Sequence, residues 1–198
     1  MRFVCQKDYP DMEYITRVDL EGEEKEKGSH TTVCSSGCGL CSSVMVADRL
    51  LTDYKFDIED AVALSYAAGA NRGIGTNFSI YSEAFAEKFD LKYVPTDDIE
   101  EVCECLRTGG AVVALVRQYG DYISVFTHKS HYVTLVSLEE DGRFCVLDPS
   151  YFEGKYDEPG REGRVEVKGR LVFCDKQTMM AETDFRRGYR YYMFWRKA

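Results

Sequence analysis

The sequence predicts an α+β chain in which a helical N-terminal half packs on a C-terminal antiparallel sheet. Three observations carry this prediction. Apolar residues recur at helical spacing from Cys38 to Leu106, the period drops to two or to continuous apolar runs after Gly110, and short turns join those later runs. A length of 198 residues, 44% of them apolar, suits a single domain over 1–198 with its own core.

The elements follow in order. Residues 1–27 begin apolar and end in the run Glu21-Gly22-Glu23-Glu24-Lys25-Glu26-Lys27, read as a solvated loop. Leu40, Val44, Ala47 and Leu51 then mark one face of a helix that starts at Cys38 between Gly37 and Gly39. Asp57 as N-cap, with Asp60 three residues on, opens a second helix that stops at Gly69. The loop Asn71-Arg72-Gly73-Ile74-Gly75-Thr76 leads to a third helix over 77–89, and 91–94 reads as a strand. Thr96 is the expected cap of a fourth helix, which buries Ile99, Val102, Cys103 and Leu106 and ends at Gly109-Gly110. Strands are expected at 111–116, 122–126, 131–138, 143–147, 164–167, 171–174 and 189–195, with tight turns at Glu139-Glu140-Asp141-Gly142 and Lys168-Gly169.

Charge excludes some partners. With 25 basic against 34 acidic residues the net charge is −9, which argues against nucleic-acid or anionic-membrane binding, since both need a cationic surplus. The start Met1-Arg2-Phe3-Val4-Cys5-Gln6-Lys7-Asp8 lacks the apolar stretch of a secretory signal, so a cytoplasmic location is expected. In that reducing setting the eight cysteines are expected as thiols. The twenty residues 28–47 carry no formal charge but hold five Ser, two Thr, three Gly and a His, which suits a buried loop running into a buried helix better than a membrane span.

Cys38 stands at the first turn of a helix. Unpaired N–H groups and the positive end of the dipole there favour a thiolate, and would also face an oxyanion formed when sulfur attacks a carbonyl. A nucleophile needs a base and an orienting group. His131 opens the strand His131-Tyr132-Val133-Thr134-Leu135-Val136, and Asp148 ends the strand Phe144-Cys145-Val146-Leu147 before Pro149. Folding back at the 139–142 turn sets Asp148 within about two residues of lying opposite His131, in reach of cross-strand contact. His128 sits in a loop, and His30 precedes the uncharged segment; neither has such a carboxylate.

Gly37-Cys38-Gly39-Leu40-Cys41-Ser42-Ser43-Val44-Met45, with His131-Tyr132-Val133 and Leu147-Asp148-Pro149, resembles the bacteriocin-leader-processing peptidases and their stand-alone papain-like relatives. The resemblance implies a papain-like fold and a thiol peptidase or amidase needing no cofactor, acting on a peptide or small amide. It makes Cys38 the nucleophile, His131 the base and Asp148 the group holding the imidazole. Leu40 stands where the family usually has Pro, and Thr32 where it usually has the Gln that completes the oxyanion hole. Thr32, Ser36 and Gly37 are therefore the oxyanion or cleft-lining candidates.

Two other readings use the same segment. A catalytically inactive papain-like module would keep the cleft as a binding site. Cys34, Cys38 and Cys41 form C-x3-C-x2-C, a spacing also used for zinc or an iron–sulfur cluster, with His30 a conceivable further zinc ligand. The helical-then-sheet order opposes the cluster, whose partial barrel needs alternating strands and helices, and leaves His131 and Asp148 without a role. Cys103, Cys105, Cys145 and Cys174 read as core thiols.

Overall fold

The computed structural model describes residues 2–16, 31–52, 54–185 and 188–197; the charge run at 21–27 and His30 lie outside the described residues. The uncharged segment becomes a short helix, α1 (Val33–Ser36), running into a buried one, α2 (Cys38–Leu50). Leu40, Cys41, Met45 and Val46 of α2 are fully buried. Each such aliphatic side chain taken from water contributes about 1.5–3 kcal/mol. The Ser43 hydroxyl donates to the Leu40 carbonyl at 2.7 Å and meets the Tyr81 hydroxyl at 2.9 Å. This helix therefore has little exposed surface on its polar side. Among the described residues no helix is long and apolar enough to cross a membrane.

Helix α3 (Ile58–Ala67) starts with the capping box expected of Asp57 and Asp60, and α4 (Phe78–Lys88) is capped by Asn77. After β1 (Leu91–Thr96) comes α5 (Ile99–Arg107), whose cap is Asp98 and not Thr96. The Thr96 hydroxyl instead accepts from the Asp98 N–H at 3.0 Å and donates to Glu101, so it anchors the turn before the cap.

The strands β1, β2 (Ala111–Arg117), β3 (Ser130–Leu138), β4 (Phe144–Leu147), β5 (Glu166–Lys168), β6 (Leu171–Cys174) and β7 (Tyr191–Arg196) form one antiparallel sheet of order β1-β7-β2-β3-β4-β6-β5. One face packs on α2, α3 and α4 through Ala111, Val113, Val136 and Phe194. The other packs on α5 and α6 (Lys176–Thr183) through Val112, Ala114, Val133 and Met193. Cover on both faces explains why β2 reads as an unbroken apolar run rather than an alternating one.

The expected strand at 122–126 is not formed. This stretch is a loop with a single bridge between Tyr119 and Tyr122, and its groups turn to a buried carboxylate instead of a ladder. Glu182 of α6 accepts from the Val125 N–H at 2.7 Å, from the Tyr122 hydroxyl at 2.7 Å and from the Ser124 hydroxyl.

The β3–β4 hairpin carries a bulge between Leu135 and Ser137. Beyond it Thr134 pairs with Leu147, and one further step sets Val133 opposite Asp148. His131 lies two residues from Val133, hence on the same face as the carboxylate.

Candidate active site

Thr32 and Ser35 cap α1 reciprocally, each side chain taking a backbone N–H of the other. Gly37 then turns the chain into α2. A Cβ at Gly37 would lie 2.6 Å from both the carbonyl oxygen and a side-chain carbon of Val33, so only glycine lets the two helices meet this closely. The turn places Cys38 at the first position of α2, half-buried, beside the leading N–H groups of the helix.

His131 reaches the thiol from β3. Its ring lies beside the Cys38 sulfur and, with the Tyr132 and Gly39 N–H groups, favours the thiolate. The ring's Nε2 is 2.7 Å from Asp148 Oδ1, which leaves Nδ1 for the thiol. The three residues brought together are thus Cys38, His131 and Asp148. Burial pushes the Cys38 thiol up, but the imidazole and the two backbone donors outweigh it, so its pKa falls below the ordinary 9.0. Burial disfavours a charged His131, yet the Asp148 carboxylate and then the Cys38 sulfur lift its pKa above 6.5. Both shifts favour a thiolate–imidazolium pair.

Asp148 is fully buried, and burial alone would neutralise it. The Lys155 ammonium beside it, followed by His131, holds its carboxyl well below the usual carboxylate range. Lys155 Nζ lies 2.5 Å from Oδ2, and the Tyr156 hydroxyl donates to the same oxygen at 2.7 Å. The Ser150 N–H donates to Oδ1 at 2.8 Å, and the Ser150 hydroxyl sits 3.1 Å from His131 Nε2 and 2.6 Å from Lys155 Nζ. Arg161, buried nearby, binds the Ser124 carbonyl at 3.1 Å and Glu158 at 2.9 Å, tying the 155–161 segment down. Lys155, Tyr156 and Ser150 have no signature in the sequence. They stand in a turn region without periodicity, and only the fold brings them behind Asp148.

Cys38 opens into a cavity of about 320 Å³. Ser35 and Ser36 border it on one side, the 72–76 loop on another, and Leu115 with residues 129–132 on a third. Ser36 lines this cavity. Thr32 and Gly37 do not line the cavity: the Thr32 hydroxyl is engaged in the α1 cap, and the Gly37 N–H donates to the Val33 carbonyl at 2.7 Å. His128 lies outside, exposed and 3.3 Å from Glu158. Cys41 is buried in the core, and among the described residues no three His, Cys, Asp or Glu side chains converge as metal ligands would. All eight cysteines are free thiols, and Cys5, Cys103, Cys105, Cys145 and Cys174 are buried.

No protein-family model and no curated protein sequence matches this chain. Among solved structures, the chain is similar to that of a candidate C39-like peptidase from Bacillus anthracis, at 11% identity and a TM-score of 0.52, with the whole of both chains covered. The fold of this chain is accordingly a helix-and-antiparallel-sheet architecture shared with a C39-like peptidase candidate.

Proposed function

We propose that this protein is a thiol hydrolase, a peptidase or amidase that acts on a peptide or small amide. The observation that carries the reading is the bridging position of His131, in contact with Cys38 on one side and with Asp148 at 2.7 Å on the other. Cysteine, imidazole and carboxylate in this relation supply a nucleophile, a proton carrier and the group that fixes the carrier's orientation.

In this mechanism the Cys38 thiolate attacks the amide carbon, and a carbon–sulfur bond forms. The carbonyl oxygen becomes an oxyanion facing the helix N-terminus, where backbone N–H groups stabilise it. His131 gives its proton to the departing nitrogen as the carbon–nitrogen bond breaks. Water, deprotonated by the same imidazole, then cleaves the thioester and releases the acid. Asp148 remains ionised throughout, held by Lys155 and Tyr156, and keeps the His131 ring aimed at the sulfur. Lys155 acts as a positioning residue, since its ammonium bonds Asp148 and Ser150 rather than the thiol.

The test is labelling by a thiol-directed electrophile near neutral pH, read by intact mass, together with turnover of a peptide library. Cys38→Ala is expected to abolish both, and Cys34→Ala and Cys41→Ala to keep both. Equal loss from all three substitutions, with metal in the purified protein, would defeat the hydrolase reading in favour of a metal site. Fast labelling of Cys38 without amide cleavage favours the inactive binding module, a reading supported by the Thr32 hydroxyl being engaged away from the cavity. The eight free thiols support a reducing compartment and hence a cytoplasmic location; alkylation in intact cells, finding all eight reduced, is the matching measurement.

A further inference from the structure

We infer that the Cys38 cleft selects an anionic substrate, one that carries a carboxylate close to the bond attacked and an apolar portion beside it. The inference rests on the thiol-hydrolase reading and extends it to substrate class. In a chain of net charge −9, the wall of this cavity contains no carboxylate among the described residues, yet contains two cations, Arg72 and Lys129. They approach from different elements: Arg72 from the loop between α3 and α4, Lys129 from the entry to β3. Neither has an ion-pair partner among the described residues. The Arg72 guanidinium is steadied through Nε, which donates to the Gly69 carbonyl at 2.8 Å, so its remaining donors are held near the cleft rather than swinging free. The rest of the wall includes Leu115, Ile74 and Tyr132, and Ile74 is 43% exposed, an apolar side chain presented to whatever lies over the thiol.

Two cations with no ion-pair partner among the described residues, set astride an apolar floor, complement a ligand with an acidic group and an apolar body. An overall charge of −9 repels such a ligand at long range, but at physiological salt that field decays over about 8 Å. Within the cavity the nearby Arg72 and Lys129 therefore decide the sign.

Paired alkylating reagents test this without committing to which side of the scissile bond carries the acid. Iodoacetate is compared with iodoacetamide, and N-iodoacetylglutamate with N-iodoacetylglutamine; in each case the thiolate forms a carbon–sulfur bond and iodide leaves. The quantity read is the acid-to-amide rate ratio at Cys38 divided by that of glutathione, measured by intact mass at low salt and in about 0.5 M NaCl. At least one pair is expected to show a ratio of about tenfold at low salt, shrinking in NaCl and falling to about one in R72Q/K129Q, as two exposed charge contacts would give. Both side chains are exposed, so the variant keeps the fold. A ratio near one in the native protein overturns the inference, and so does a preference that survives in R72Q/K129Q, which would belong to the His131 imidazolium. Those two results leave the hydrolase reading standing. If Cys38 reacts with neither member of either pair, the nucleophile reading fails first and takes the substrate class with it.

Discussion

Lys155 Nζ sits 2.5 Å from Asp148 Oδ2, the carboxylate oxygen that His131 leaves free, and both side chains of this pair are nearly or fully closed to water. One buried anion thus answers to two cations. Lys155→Met is expected to cost about 3–5 kcal/mol, because it strands a buried charge, whereas D148N/K155M costs less than Lys155→Met alone. Urea unfolding of the two single variants and the double variant gives the coupling directly. Strictly additive losses would mean that the contact carries no coupling.

The thiol of Cys38 has a lowered pKa chiefly because His131 opposes the effect of burial. Iodoacetamide alkylation in the native protein should therefore inflect below pH 9.0. In His131→Ala burial acts almost alone, so the inflection moves up past that value. The rate at pH 7 then drops, because a smaller fraction of Cys38 is present as thiolate. An unchanged profile in His131→Ala would break the link between ring and thiol.

Acid should weaken the fold through Asp148. A carboxyl whose folded pKa is depressed contributes stability above its unfolded value of about 4, and that contribution is lost as pH falls. Unfolding free energy is expected to decline from about pH 5 to pH 2, with a share on the order of 2–3 kcal/mol that is missing in Asp148→Asn. The raised pKa of His131 works in the other direction. Its contribution is complete below 6.5 and fades as pH rises through the folded value. Parallel pH curves for the native protein and Asp148→Asn would contradict the first expectation.

Glu182 holds the 122–125 loop from the far face of the sheet, away from the thiol. Glu182→Ala leaves the Val125 N–H and the Ser124 hydroxyl buried without an acceptor, and is expected to cost about 3 kcal/mol or more. At a temperature where the variant is still folded, the rate of Cys38 alkylation should match the native one. A selective loss of thiol reactivity in folded Glu182→Ala would show that the loop reaches the site.

The helices were legible because their ends are written in side chains: Asp57 with Asp60 and Gly37 before Cys38 each act within one turn of where they stand. The failures are non-local. Tyr122, Ile123, Val125 and Phe126 have the composition of a strand, but the acceptor that captures them is Glu182, in a helix the sequence did not signal because Lys176–Thr183 has no clear apolar face. Asp98, two residues past Thr96, took the cap because its own carboxylate reaches Glu100 N–H at 2.8 Å. In the candidate site, the place of Cys38 at a helix start and the contact of His131 with Asp148 across the hairpin were readable from glycine placement and strand spacing. Lys155 and Tyr156 were not, since no spacing rule says that a lysine seven residues past an aspartate folds back onto it. Thr32 was weighed for the oxyanion hole by its distance from Cys38, while its neighbour Ser35 made it a cap.

The bulge in the β3–β4 hairpin has a consequence for how this chain tolerates change. Next to the turn, Leu138 pairs with Phe144; were that ladder continued evenly, Thr134 would face Asp148 and the carboxylate would project to the side of the sheet away from His131. The extra residue between Leu135 and Ser137 shifts the phase by one and returns imidazole and acid to a common side. The hairpin behaves as a geared pair with one added tooth. Lengthening the turn at 139–143 leaves the teeth beyond it meshed, and deleting Val136 only removes the added tooth, since Leu135 stays on Val146; one residue inserted between Leu147 and Asp148 would instead set Asp148 opposite Tyr132 and part it from His131.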